Sequence, residues 1–290
     1  MSAQDTVFLE KKMLDCGVAI LDLSSPAVMG ILNLTPDSFY DGGKYVSEKK
    51  VFEQIEKIIS EGADIIDIGA VSTRPKADFV SEEEELKRLL PIIELVRKKY
   101  PKQVISVDTF RAEVAKKSVA VGANIINDIS GGTMDEKMLE TVAKLNVPYV
   151  LMHIKGTPET MQDNPQYENV CEEVKNYFSE KCDLLKKMDF QKIILDPGFG
   201  FGKNMQHNFT LLKYLTEFQS FGLPILAGIS RKSMIQKALT ISAAEALNAT
   251  TSLNTIALLN GANFLRVHDV KEAKEVIRLF DFYRKTDASS

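Results

Sequence analysis

The chain is 290 residues long, 44% hydrophobic and 26% charged, with 36 basic residues against 40 acidic ones and a formal net charge of −4. Those figures exclude a disordered, collagen-like or coiled-coil chain, and the mild acidity leaves no electrostatic footprint for nucleic acid or an anionic membrane surface. No window approaches the ~18 uninterrupted apolar residues of a membrane span, and the first residues lack the layout of a signal peptide. The three cysteines, Cys16, Cys171 and Cys182, are widely spaced and read as reduced thiols of a cytoplasmic protein.

The segment before residue 28 reads as a short hairpin, Val7–Leu9 with Ala19–Leu21, closing the N-terminal end of the domain. Eight short runs rich in Ile and Val then recur: Val28–Asn33, Asp64–Gly69, Val104–Asp108, Asn124–Asp128, Pro148–His153, Ile193–Asp196, Pro224–Ser230 and Asn263–His268. Runs so short and continuous predict parallel strands buried on both faces. Between them apolar residues fall at helical spacing, as at Val51, Ile55, Ile58 and Ile59, then Leu86, Leu89, Leu90 and Ile93. Ser81 with Glu84, and Ser242 with Glu245, have the spacing of a capping box, and Glu82 to Glu85 suit the positive end of a helix dipole. Three helices should end alike, in Gly62-Ala63-Asp64, Gly122-Ala123-Asn124 and Gly261-Ala262-Asn263, where a left-handed glycine cap leads straight into a strand. Eight such units in a single domain over residues 1–290, with the barrel itself over about 28–284, predict a (β/α)8 TIM barrel. A doubly wound open sheet is the alternative.

In such a barrel, function lies at the C-terminal strand ends. The predicted ends carry Asn33, Asp67, Asp108, Asn127 with Asp128, His153, Asp196, Ser230 with Arg231, and Arg266 with His268. Any one of them could be a helix cap or a turn former, but eight polar ends together point to a ligand site. The basic members, Lys203, Arg231, Lys232, Arg266 and His268, fall late in the chain, where barrels often bind phosphate. Arg266 and His268 are two residues apart, so on a strand they face the same way and suit an anion. His268 alone would more commonly be a hydrogen-bonded core histidine; paired with Arg266 at a barrel mouth it favours the anion.

The glycine-rich run Gly198 to Lys203 is neither a P-loop nor a dinucleotide fingerprint, and His153, His207 and His268 lack zinc-ligand spacing. His207 is expected on an exposed loop, and Met152 and Phe201 as core or lining residues. Two long loops, 34–45 and 70–80, hold polar and aromatic residues able to close over a ligand. Asp41, in the first, offers a hard oxygen for magnesium and equally reads as part of a surface turn.

The segments 29–43 (MGILNLTPDSFYDGG), 72–75 (STRP), 106–115 (SVDTFRAEVA), 126–132 (INDISGG), 151–162 (LMHIKGTPETMQ), 194–204 (ILDPGFGFGKN), 228–233 (GISRKS) and 266–269 (RVHD) closely resemble the dihydropteroate synthase family. The resemblance runs in order over nearly the whole chain. It implies a folate-synthesis transferase that joins 4-aminobenzoate to 6-hydroxymethyl-7,8-dihydropterin diphosphate, releasing pyrophosphate, and a target of sulfonamides. Carried over motif by motif, it implies a pterin pocket of Asp108, Asn127, Met152, Asp196 and Lys232 and a diphosphate site of Asn33, Arg266 and His268. The implied aminobenzoate pocket is Phe39, Thr73, Pro75, Phe201, Lys232 and Ser233, with Mg2+ held by Asn33 and Asp41. Asp108, Lys232, Asp41, Arg266 and His268 are the implied catalytic set, and the expected assembly is a homodimer through the last helices, with no nucleic acid or membrane partner. Ala70, Val71 and Lys76 stand where the family's second loop has Gly, Glu and Gly. A pterin-dependent methyltransferase acting on a corrinoid protein would share the Asp and Asn contacts but not the whole set of motifs. A Schiff-base aldolase using Lys232 and a catalytically silent subunit are further alternatives.

Overall fold

The Ile- and Val-rich runs form strands because their β-branched side chains pack well on both faces of a pleated sheet. A computed structural model describes residues 13–34, 44–71, 80–157, 160–161 and 164–286. Strands β1 (Met13–Asp15) and β2 (Ile20–Asp22) pair antiparallel as a hairpin. Eight parallel strands come next: β3 (Ala27–Asn33), β4 (Ile65–Gly69), β5 (Val104–Asp108), β6 (Ile125–Asp128), β7 (Tyr149–Met152), β8 (Ile193–Asp196), β9 (Leu226–Ala227) and β10 (Phe264–Val267). Their order is β8-β7-β6-β5-β4-β3-β10-β9, and a parallel bridge between Leu195 and Ile225 brings the two ends together in a nearly closed TIM barrel.

The helices cross back over the outside: α1 (Lys44–Ser60), α2 (Glu82–Lys99), α3 (Ala112–Ala120), α4 (Met138–Leu145), α5 (Val170–Lys187), α6 (Met205–Lys213), α7 (Ser233–Leu239), α8 (Leu247–Leu259) and α9 (Val270–Lys285). Ser81 caps α2, its hydroxyl accepting from the Glu84 amide, with four glutamates in the first turn. The three glycine caps hold φ of +91°, +120° and +93°, values that L side chains seldom adopt. The Asx residue that ends each of these turns then serves as a clip. The side chains of Asp64, Asn124 and Asn263 accept the backbone N–H of Val28, Ile105 and Ile225, the start of the strand alongside.

Three expectations shift. The first arm of the hairpin is Met13–Asp15, while Val7–Leu9 lies outside the described residues. Ser242 and Glu245 do bond one another, at 2.7 Å, but they close a turn, and α8 begins only at Leu247. His207 lies in the first turn of α6, where it completes a capping box with Asn204, rather than on a loop.

Strand periodicity divides the barrel interior into storeys. The floor takes one residue from each strand: Met29, Ile65, Val104, Ile125, Val150, Ile194, Leu226 and Phe264, all buried. Leu14, Cys16 and Leu23 from the hairpin region pack against the same cluster and stop the lower end. Burial lifts the Cys16 thiol to a pKa of about 12, so it is an inert part of that plug. A step of two along every strand reaches the next storey, because alternate side chains share a face. Its members are Ile31, Asp67, Ser106, Asn127, Met152, Asp196, Gly228 and Arg266. The floor is apolar throughout, and the storey above it is largely polar.

Candidate active site

At the centre of the polar storey, one carboxylate oxygen collects two donors. Asp67 Oδ2 accepts from Arg266 Nε at 2.7 Å and from Asn127 Nδ2 at 3.1 Å. The other end of the guanidinium, Nη2, donates to Asp108 Oδ2 at 2.7 Å. Acids and base therefore interlock across the barrel instead of standing on opposite sides. Burial pushes the Asp108 carboxyl up to a pKa of about 7; Arg266 works against that shift, and the carboxylates of Asp67, Glu85 and Asp128 add to it. Burial alone would weaken the Arg266 charge, but Asp67 and Asp108 outweigh it and hold the guanidinium protonated.

Asp196 lies in the same storey, fully enclosed, with Oδ1 accepting the Gly198 N–H at 2.8 Å. Burial raises its pKa, and the nearby Lys232 opposes that. Lys232 occupies the N-cap position of α7 and reaches inward. Its ammonium donates to the Phe199 carbonyl at 2.5 Å and sits 4.7 Å from the centre of the Phe201 ring. Burial lowers its pKa to about 8, despite the pull of Asp196 and Asp108 toward the charged form. Met152, Ile129, Ile154 and Met161 form an apolar wall, with Phe110 and Phe201 packed on it. The site thus joins a flat apolar surface to carboxylates, a carboxamide and two cations, which suits a planar heterocycle edged with N–H donors.

The anion-facing residues are more open. Asn33 ends β3 and is exposed; His268 comes just after β10, and its Nδ1 lies 3.0 Å from Ser230 Oγ. Ser233 opens α7 with its side chain exposed. Phe39, Asp41, Thr73 and Pro75 lie outside the described residues.

Several polar strand ends have other work. Asp128 neighbours Asn127 but points to the opposite face, where its two oxygens take Ser130, Gly132 and the Tyr149 hydroxyl. Arg231 turns away to a bidentate pair with Asp269 at 2.7 and 2.8 Å. Lys203 is not an anion ligand in this fold. Its buried ammonium is ringed by the carbonyls of His153, Gly198 and Phe201 at 2.9 to 3.2 Å and meets His153 Nδ1 at 2.9 Å. Burial first, then the charges of Lys203 and Lys155, drives His153 down to a pKa of about 2, so its ring is neutral.

Lys203 thereby pins the glycine-rich loop that carries Phe199 and Phe201. Gly198 and Gly202 press so closely that a Cβ would sit 2.0 Å from the His153 carbonyl and 2.3 Å from that of Lys155. The second long loop is likewise held at both ends: Arg88 donates to the Ala70 carbonyl, and Arg111, paired with the buried Glu85, donates to that of Val80. These anchors carry no periodic signal in the sequence. Asp67 did carry one, a lone acid inside the run IIDIG two residues beyond a floor position.

The model of the pterin-binding enzymes matches residues 29–268 of this chain. Dihydropteroate synthase of Escherichia coli (strain K12) is 46% identical over 263 residues, covering 90% of this chain and 93% of its own. The chain belongs to the pterin-binding enzymes, among the dihydropteroate synthases. Solved relatives agree in fold. Yersinia pestis dihydropteroate synthase, determined with a sulfonamide drug, superposes with a TM-score of 0.88 at 40% identity, covering 94% of this chain and all of that one. The Xanthomonas albilineans enzyme with 4-aminobenzoic acid has a TM-score of 0.88 at 37% identity over 95% of this chain and 99% of its own. The same enzyme determined with 7,8-dihydropteroate has a TM-score of 0.85 at 35% identity, over 95% and 100%. Among the described residues no helix is long and apolar enough to cross a membrane.

Proposed function

We propose that this enzyme joins 6-hydroxymethyl-7,8-dihydropterin diphosphate to 4-aminobenzoate, forming 7,8-dihydropteroate and pyrophosphate in the cytoplasm. The observation that supports the reading is the convergence of strand ends on Arg266: Asp108, Asn127, Asp196 and Lys232 come from four different βα units, and each is tied to Arg266 or to another of the four by a hydrogen bond, a shared partner or charge. The carboxylates and carboxamide accept the N–H groups of the pterin edge, while Lys232 donates to its carbonyl and ring nitrogen, and Met152 supplies apolar contact. Phe201 and Ser233 belong to the aminobenzoate side, to which motif resemblance also assigns Phe39, Thr73 and Pro75.

In the chemical step the C–O bond to the diphosphate breaks first, leaving a methylene cation conjugated with the electron-rich pterin. The ionised Asp108 favours that charge, and Arg266 and His268 stabilise the departing diphosphate. The arylamine is neutral at pH 7 and attacks without a strong base. Among the described residues no cluster of three His, Cys, Asp or Glu could cage a metal. A single hard oxygen at the exposed Asn33, joined by Asp41 and substrate phosphates, fits Mg2+, which keeps several waters and uses few protein ligands. When bound, the ion would offset charge on the diphosphate.

We further propose a homodimer through the last helices, supported by Leu239, Ile256, Leu259, Leu279, Phe282 and Tyr283, all more than a third exposed on α7, α8 and α9. The decisive assay is pyrophosphate release with each substrate withheld in turn, with and without magnesium. Release that needs both the pterin diphosphate and aminobenzoate is expected. Methyl transfer to a corrinoid protein without such release would overturn the reading.

A further inference from the structure

Asp67 has no part in the pocket that motif resemblance implies, yet it holds two of the storey's side chains at once. It is fully buried, its Oδ2 accepts from both Arg266 and Asn127, and its Oδ1 finds no hydrogen-bond partner among the described residues. An Arg266 Nε at 2.7 Å on Oδ2 requires that oxygen to be an acceptor. The Asn127 atom 3.1 Å from the same oxygen must then be the carboxamide nitrogen, because two acceptors would repel. A carboxamide has only two orientations of its N and O. Fixing the nitrogen on Asp67 turns the oxygen the other way.

We propose that Asp67 is a positioning residue that locks the Asn127 carboxamide, so that the pterin always meets a carbonyl acceptor at that place. The inference rests on Asn127 contacting the pterin. It makes the hydrogen-bond polarity of the pocket a property of a residue that never touches the ligand. A ring presenting an N–H there is selected, and one presenting a bare acceptor is rejected, since that would leave two acceptors facing each other without water. The orphan Oδ1 also fits: the carboxylate is placed for what its other oxygen holds, not for its own full satisfaction.

The test is binding of 6-hydroxymethylpterin, a probe without the diphosphate, measured by calorimetry. Asp67→Ala frees the carboxamide to rotate and should weaken binding about tenfold, the worth of one misdirected hydrogen bond. Asp67→Asn should recover most of the loss, because its carbonyl oxygen can take the same two donors; a purely electrostatic role for Asp67 would leave both variants equally impaired. In a double-mutant cycle with Asn127→Ala, Asp67→Ala should add less than about twofold, since it acts through the group already removed. Multiplying effects, or unchanged affinity in a folded Asp67→Ala, would overturn the proposal. Unchanged affinity in Asn127→Ala alone would sink the pterin assignment beneath it as well. Should Asp67→Ala not fold, the unmodified enzyme still decides: the Asn127 carboxamide hydrogens should exchange with solvent far more slowly than those of an exposed asparagine, and equal rates would refute the lock.

Discussion

In the proposed mechanism two buried groups set the working pH. Asp108 favours the methylene cation only when ionised, and its pKa of about 7 means that form is lost as pH falls through 7. Lys232 donates to the pterin only when protonated, and its pKa of about 8 means that form is lost as pH rises through 8. The expected profile of kcat/KM is therefore a narrow bell with limbs near 7 and 8, read in the free enzyme. Asp108→Asn should lower kcat by about a hundredfold and abolish the acid limb, measured by pyrophosphate release across pH 5 to 9. A variant that keeps the limb would assign the titration to another carboxyl. Neighbouring residues show what the sequence could and could not reveal at this scale. Asn127 and Asp128 are adjacent polar residues at the end of the same run, yet one faces the hollow and the other binds Tyr149 outside it. A shift of one residue in register reverses that choice, and register is set by strand pairing, which motif spacing alone does not state.

At the level of elements, the strands were legible because burial on both faces demands continuous Ile and Val, and the glycine-Ala-Asx ends because few other residues tolerate those φ values. The destinations of the cations were not. Lys203, Arg231, Lys232 and Arg266 are all basic residues late in the chain, but Lys203 and Arg231 spend their charge holding loops. Which cation finds a loop carbonyl and which a ligand depends on contacts between segments distant in sequence. Lys203→Met would leave the His153 and Phe201 carbonyls without their donor, while Gly198 keeps the Phe201 N–H, at a cost of about 2 kcal/mol. The expected outcome is a clear drop in Tm, together with a raised KM for aminobenzoate as Phe201 loses its footing. A higher KM at unchanged Tm would show that Lys203 acts on the ligand rather than on the loop.

On the scale of the whole fold, α9 presents the largest apolar exposure among the described residues, with Leu279, Phe282 and Tyr283 each at least 70% exposed. In the proposed homodimer, replacing Leu279 and Phe282 by glutamate should halve the mass seen by sedimentation equilibrium, because a charge at the centre of an apolar interface is left unpaired. An unchanged mass would overturn this interface, and a monomer mass in the unmodified enzyme would overturn the dimer. The Yersinia relative was determined with a sulfonamide drug, and the shared fold predicts that this enzyme is inhibited by such drugs in competition with aminobenzoate. Ala70 lies buried where the second loop begins, and its carbonyl is gripped by Arg88, so the unusual residues there leave that attachment intact. A KM for aminobenzoate indifferent to added sulfonamide would refute the prediction.

The packed floor of eight strand side chains, backed by Leu14, Cys16 and Leu23, makes the enzyme a cup rather than a tube. With that end packed by the described residues, whatever is delivered through the rim, pyrophosphate included, leaves across the same rim. Crowding at that single doorway would make the departure of one visitor a condition for seating the next, and would let a molecule lodged at the lip halt traffic without reaching the floor.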